Sequence, residues 1–221
     1  MSHEKSAHDN PEAALDALDL TALIASRICH DVISPVGAIN NGLEVLEDES
    51  DEDMRKIAME LVKKSARQAS AKLQFCRLAF GAAGSAGAEI DTGDAESVAR
   101  GFVEGDKVRL EWNVPRQLLP KNRVKLLLNL VMIAMNTIPR GGRMTLNMTT
   151  EENGPAFLME AQGLNARIAQ PILDLLQGPP EGLVDSHMIQ PYYTGLVAKV
   201  AGMALDIKTE GDIVRIHAKC V

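Results

Sequence analysis

The residues best suited to chemistry lie in one short run, His30-Asp31-Val32-Ile33-Ser34-Pro35. An imidazole has an ordinary pKa of about 6.5, so near neutral pH it can act as a nucleophile. Its attack on a phosphoryl group gives a phosphohistidine that can pass the group on. Such transfer depends mostly on positioning and on neutralising charge. On a helical wheel His30 shares a face with Arg27, Ser34, Gly37 and Asn41, opposite the apolar stripe of the same segment. Gly37 costs about 1 kcal/mol relative to Ala inside a helix, which is sensible only where something must approach the backbone. Pro35 has no N–H for the carbonyl of Asp31, and its ring crowds that oxygen, so a bend is expected beside His30. Asp31 lies about 100° around the helix from His30 and can reach a group on the imidazole from the side.

The elements that must hold this run are readable from periodicity. From about Asp16, apolar residues fall at Leu20, Leu23, Ile24, Ile28, Val32, Val36, Ile39, Leu43 and Leu46, the three-and-four spacing of an amphipathic helix. Six acids occupy seven positions from Glu47 to Asp53, with Ser50 and Asp53 in capping-box positions for the next helix. That helix carries Met54, Ile57, Leu61, Ser65, Ala69, Leu73, Cys76 and Phe80, and ends in the Gly/Ala/Ser run 81–88. Two antiparallel helices leave an apolar face in need of a cover. A second copy would complete a four-helix bundle; docking on the rest of the chain is the competing solution.

Beyond the linker the pattern changes. Strands are expected at 107–114, 143–150, 157–161, 204–209 and 213–219, and helices at 94–103, 123–136 and 192–201. This interleaving indicates a two-layer α/β sandwich. The predicted organisation is a polar tail at 1–13, a helical hairpin at 14–83, a linker at 84–90 and an α/β domain at 91–221.

Composition narrows the classes of function. The 221 residues are 46% hydrophobic and 24% charged, which excludes whole-chain disorder. Lys and Arg number 23 against 30 acids, a net charge of −7, so nucleic acid is not expected as the main partner. Cys29, Cys76 and Cys220 are far apart, and each is expected as a small buried apolar residue. The polar N-terminal stretch has no signal-peptide core, and the apolar run Leu126–Met135 is too short for a bilayer and carries Asn129. The expectation is a cytoplasmic protein without membrane attachment. His3, His8, His187 and His217 have no supporting constellation in the sequence.

The run His30–Pro35 resembles the H-box of sensor histidine kinases: a His, an acid, two variable positions, a small polar residue and Pro. The order of hairpin, linker and α/β domain is similar too. Leu126 to Gly142 resembles the N-box region of the Bergerat-type ATP-binding domain, with Asn129-Leu130, Ala134, Pro139 and Gly141-Gly142 in frame. However, Ile133 stands where the magnesium-binding Asn is expected, and Ile has no oxygen for a hard cation. Ala161 replaces the adenine-binding Asp, Asn165 replaces a Gly of the same box, and only Gly195-Leu196 of the last Gly-rich box fits. A phosphate cradle depends on glycines that let backbone N–H groups approach. The sequence thus keeps the scaffold of a nucleotide site and lacks its contacts.

Over residues 16–221, and most specifically over Ala25 to Glu44, the chain is similar to the dimeric ChpT-type histidine phosphotransferases of alphaproteobacteria. The resemblance implies an α plus α/β fold: a hairpin dimerising into a four-helix bundle, then a degenerate Bergerat-type sandwich. It implies that His30 accepts a phosphoryl group from the receiver domain of a hybrid histidine kinase and donates it to response-regulator receivers that control the cell cycle and proteolysis. Arg27 would then neutralise phosphoryl oxygens or serve as a plain surface cation. Asp31 would orient the imidazole, and Ser34 would hydrogen-bond the transferred group. Gly37, Asn40, Asn41 and Glu44 would form the docking face. Lys63 and Arg67 are either docking cations or surface charges near Glu60. No cofactor is implied, magnesium being expected on the receiver. The alternatives are an ATP-dependent sensor kinase, which Ile133 and Ala161 oppose, and a non-catalytic dimeric scaffold that binds receivers.

Overall fold

The computed structural model describes residues 15–81, 87–103, 105, 107–179 and 185–221. The expected polar tail at 1–13 and residues 84–86 of the expected linker lie outside them. Two long helices come first, α1 (Ala17–Asp48) and α2 (Glu52–Ala79). Each begins at an aspartate whose carboxylate accepts from two free N–H groups: Asp16 from Leu18 and Asp19, and Asp51 from Asp53 and Met54. The cap of α2 is therefore Asp51 and not Ser50, a carboxylate being the stronger acceptor for the positive end of a helix. Arg55 closes the hairpin, donating to the carbonyls of Leu46 and Glu49 that α1 leaves free.

The seam between the two helices is made of small residues. Pro35 and Gly42 are buried on α1, and Ala58, Ser65 and Ala69 on α2. A Cβ at Gly42 would stand 2.6 Å from Val62 Cγ2 and 3.3 Å from the Ala58 carbonyl oxygen, so glycine permits this close approach. Much of the expected apolar stripe does not enter the seam. Val36, Leu43, Met54, Ile57, Leu61 and Leu73 remain exposed. Cys29 is exposed as well, contrary to the expectation of burial, whereas Cys76 is buried. Among the described residues α1 is the one helix long and apolar enough to cross a bilayer by length and composition. It carries Arg27, His30 and Asp31 along its length and packs against α2, as a bundle helix does.

A five-stranded sheet forms the second unit. Its strands are β2 (Val108–Asn113), β4 (Gly142–Glu151), β5 (Gly154–Gln162), β6 (Met203–Glu210) and β7 (Ile213–Cys220), in the order β2-β4-β5-β7-β6. The β2–β4 pair is parallel and the others antiparallel. Helices α3 (Thr92–Val103), α4 (Lys121–Thr137) and α6 (Ile189–Val200) pack against the sheet. The sandwich therefore follows the expected pattern, with α4 buried along nearly its whole length. Three short elements escaped the sequence reading: β1 (Glu89–Asp91), β3 (Leu118–Pro120) and α5 (Gln170–Gln177). β1 pairs antiparallel with β3, so the end of the expected linker is a strand instead. Elements this short have too few residues for periodicity to show.

Two sets of contacts join the hairpin to the α/β domain. At the start of α1, Leu20, Leu23 and Ile24 pack against a cluster of Leu175, Ile189 and Tyr192 on α5 and α6. At the end of α2, Phe75 and Ala79 belong to the main core, and Phe75 stacks on Phe102 at 4.0 Å. The chain thus covers part of its own hairpin, as the docking alternative supposed, while the apolar residues nearer the hairpin turn stay open. A buried polar knot sits beside the second contact. Asn129 Nδ2 donates to the carbonyls of Ala79 and Lys125, and Gln190 Nε2 lies 3.1 Å from Asn129 Oδ1 and 2.9 Å from Thr194 Oγ1.

Two stability predictions follow from these contacts. Replacing Asn129 by Leu orphans the Ala79 carbonyl and removes one of the acceptors of the Gln190 amide, which keeps the Asn129 backbone carbonyl and Thr194 Oγ1, and should cost about 1–3 kcal/mol in urea unfolding. A Cβ at Gly195 would stand 2.3 Å from the Leu176 carbonyl oxygen. Gly195→Ala should therefore push α5 from α6 and lower stability by about 1–3 kcal/mol, outweighing the helix-propensity gain of about 1 kcal/mol.

Candidate functional site

His30 projects from the first half of α1 with 56% of its side chain exposed. Three elements brace it. On α1 itself, Arg27 Nε donates to Asp31 Oδ2 at 2.9 Å across one helical turn. Both side chains are largely covered, at 15% and 16% exposure, so this pair is better shielded than a surface i,i+4 pair. Asp31 Oδ1 lies 3.7 Å from His30 Nδ1. That separation is too long for a hydrogen bond, but it places the carboxylate beside one ring nitrogen.

The second brace comes from α2. Pro35 deprives the Asp31 carbonyl of its helical partner, and Lys72 Nζ donates to that oxygen at 2.8 Å. The proline thus leaves an acceptor that a cation on the neighbouring helix takes up. Cys76, one turn beyond Lys72, is buried; desolvation, reinforced by the Asp31 charge, pushes its thiol up to about 11, so it stays protonated.

The third brace comes from the α/β domain. Arg27 Nη1 donates to the carbonyl of His187 at 2.9 Å. The His187 ring meets the His30 ring edge to face, with centroids 4.3 Å apart and planes at 81°. His187 therefore does have a constellation, against the sequence reading. His217 also has a partner, Glu151 at 3.0 Å. Counting from the hairpin turn puts Arg67 to Lys72 level with His30 but gives Lys72 no role, and His187 lies 157 residues from His30, where helical spacing reports nothing.

The remaining sequence candidates are distributed as follows. Ser34, Asn40, Asn41 and Glu44 are exposed on α1, and Gly37 has open space where a Cβ would project. This leaves a stretch of α1 beyond His30 approachable from solvent. Arg27 is turned to Asp31 and His187, so in this structure it braces the site. Lys63 pairs with Glu60 at 2.9 Å, which holds the Glu60 carboxyl below its usual range. Arg67 lines a cleft with Lys64, Gln68, Ala71 and Lys107, between α2 and the α/β domain. Neither contacts His30 or its braces.

The residues at the nucleotide-like positions do not fit ATP and magnesium. Ile133 and Ala161 are each 1% exposed and belong to the apolar core. The Asn129 amide is spent on Ala79, Lys125 and Gln190. The Leu176 backbone lies against Gly195, where a phosphate cradle would need free space. Among the described residues, no group of three or more His, Cys, Asp and Glu side chains is placed to hold a metal ion.

Residues 92–213 match the histidine phosphotransferase C-terminal domain family. The chain is 53% identical over 203 residues to the protein phosphotransferase ChpT of Brucella abortus (strain 2308), covering 90% of this chain and 95% of that one. A bacterial phosphotransferase solved at 1.7 Å superposes with a TM-score of 0.85 at 47% identity, over 94% of this chain and 98% of the other. With its C-terminal domain matched by the family model and a relative 53% identical over 90% of its length, this chain with a solvent-facing histidine on a helical hairpin belongs to the histidine phosphotransferase family.

Proposed function

We propose that this protein relays a phosphoryl group through His30, taking it from the receiver domain of a hybrid histidine kinase and passing it to response-regulator receivers in a cell-cycle phosphorelay, without using ATP. The observation that carries the reading is the exposed His30 imidazole on a helix whose next residue, Asp31, is held from two sides.

In the forward step, a ring nitrogen of His30 attacks the phosphorus of an aspartyl phosphate on the incoming receiver. The N–P bond forms as the P–O bond to the aspartate breaks, and the carboxylate leaves with the electron pair. Nδ1 is the nitrogen nearest the Asp31 carboxylate, so Nε2 is the one that meets the visitor. The Nδ1–H stays on the ring, and the carboxylate offsets the positive charge that the ring acquires. Arg27 holds that carboxylate in place, while Lys72 secures the backbone beneath it. Magnesium belongs to the receiver. The exposed face from Ser34 through Gly37, Asn40, Asn41 and Glu44 is where the receiver lies; Lys63 and Arg67 are further cations on the same hairpin. The chain works in the cytoplasm, a setting consistent with its three free thiols.

The open apolar face of the hairpin supports a homodimer. Val36, Leu43, Ile57 and Leu61 are too many large exposed side chains for one solvated hairpin, and a second copy would complete a four-helix bundle. In light scattering the wild type should run at twice the chain mass, and the double variant I57E/L61E at the single mass. A monomeric wild type refutes the dimer.

Phosphotransfer is tested by two incubations of the purified protein, one with labelled ATP alone and one with a labelled phosphorylated receiver. Label should enter only in the second, and His30→Ala should abolish it without changing the mass in solution. Label in the first would make the protein a kinase; label in neither would make it a scaffold.

A further inference from the structure

We infer that His187, supplied by the α/β domain, is a positioning residue for His30; the inference rests on the phosphotransfer reading above. An imidazole on an exposed helix face has broad freedom about χ2 and several χ1 choices. In-line attack uses only a narrow part of that range, and aligning the reacting atoms is a large share of what a transfer site contributes. The Asp31 carboxylate stands on the Nδ1 side at a distance too long to lock the ring by itself. The His187 ring fills a second side, edge to face at 4.3 Å.

His187 is itself held at three points. Its carbonyl accepts from Arg27 Nη1, which ties it to the same arginine that braces Asp31. Its backbone N–H, with that of Met188, is taken by the Asp185 carboxylate at 2.8 and 3.0 Å, which shapes the turn leading into α6. The following Ile189 is buried in the cluster that receives Leu20, Leu23 and Ile24 of α1. The turn is therefore docked on α1 through packing that does not involve His187's own ring, and the ring is delivered to His30 by that docking. This gives a sandwich that does not fit a nucleotide a part in the transfer site: it aims the imidazole.

The test uses the full chain with His187→Ala and His187→Phe, and a receiver charged with acetyl phosphate. At saturating receiver, His187→Ala should slow the appearance of phosphohistidine roughly tenfold with receiver affinity unchanged, and His187→Phe, which restores a ring edge, should stay within about twofold of wild type. In long-range 15N spectra of the imidazoles, the His30 signals should move and broaden in His187→Ala and return towards wild type in His187→Phe. Wild-type transfer by His187→Ala, a loss confined to receiver affinity, or a His187→Phe as slow as His187→Ala would overturn the inference. If the wild type accepts no phosphoryl group from the receiver, the phosphotransfer reading fails. The spectra still judge the contact, since His30 signals indifferent to His187→Ala would remove it.

Discussion

Proline at position 35 cannot donate to the carbonyl of Asp31, and Lys72 takes that oxygen from the other helix of the hairpin. Much of the site depends on this exchange. A helix-breaking residue inside a 32-residue helix would ordinarily leave a weak point. Here the orphaned acceptor becomes the place where α2 is tied to α1, one residue from His30. The side chain of Asp31 is held separately by Arg27, so backbone and carboxylate of the same residue are restrained by two cations approaching from different elements. His30 itself remains free to meet solvent. An exposed histidine has little packing of its own; the Asp31 carboxylate and the His187 ring are what stand beside it.

The hairpin reaches this state with little apolar packing between its own helices. Its seam of Pro35, Gly42, Ala58, Ser65 and Ala69 brings the backbones close but buries few large side chains. Stability is drawn instead from both junctions with the α/β domain, where Leu20, Leu23 and Ile24 meet α5 and α6 and Phe75 enters the main core. The Asn129 knot then fixes the second junction in register, because each member of a buried polar network must keep its partner. Leucines and isoleucines left over from the seam are thereby available on the outside of the hairpin.

The nucleotide-like positions are taken up by the packing of the domain itself. Ile133 and Ala161 put apolar atoms where charge would be needed, and these residues now serve the core. Asn129 keeps a polar side chain, but its amide has been turned to holding two parts of the fold together. The contact of Leu176 with Gly195 uses the glycine's open backbone for helix packing.

Sequence alone picked out His30 as the candidate nucleophile, the acid beside it, the hairpin, the main strands and helices, and the nucleotide-like positions whose residue types lack the expected contacts. Each of these is a local property: a residue type, a spacing along one helix, or an alternation along one strand. Asp51 as cap in place of Ser50, the exposure of Cys29 and the short elements β1, β3 and α5 were harder, because one or two positions carry too little pattern to choose between neighbours. What only the tertiary structure decided is who supports His30. Lys72 reaches the Asp31 carbonyl and His187 meets the His30 ring across the fold, and Arg27 turns inward to the His187 carbonyl. Contacts between residues so far apart in the chain depend on how helices dock, and docking is set by the summed packing of many side chains, which leaves no mark on the spacing of any one segment.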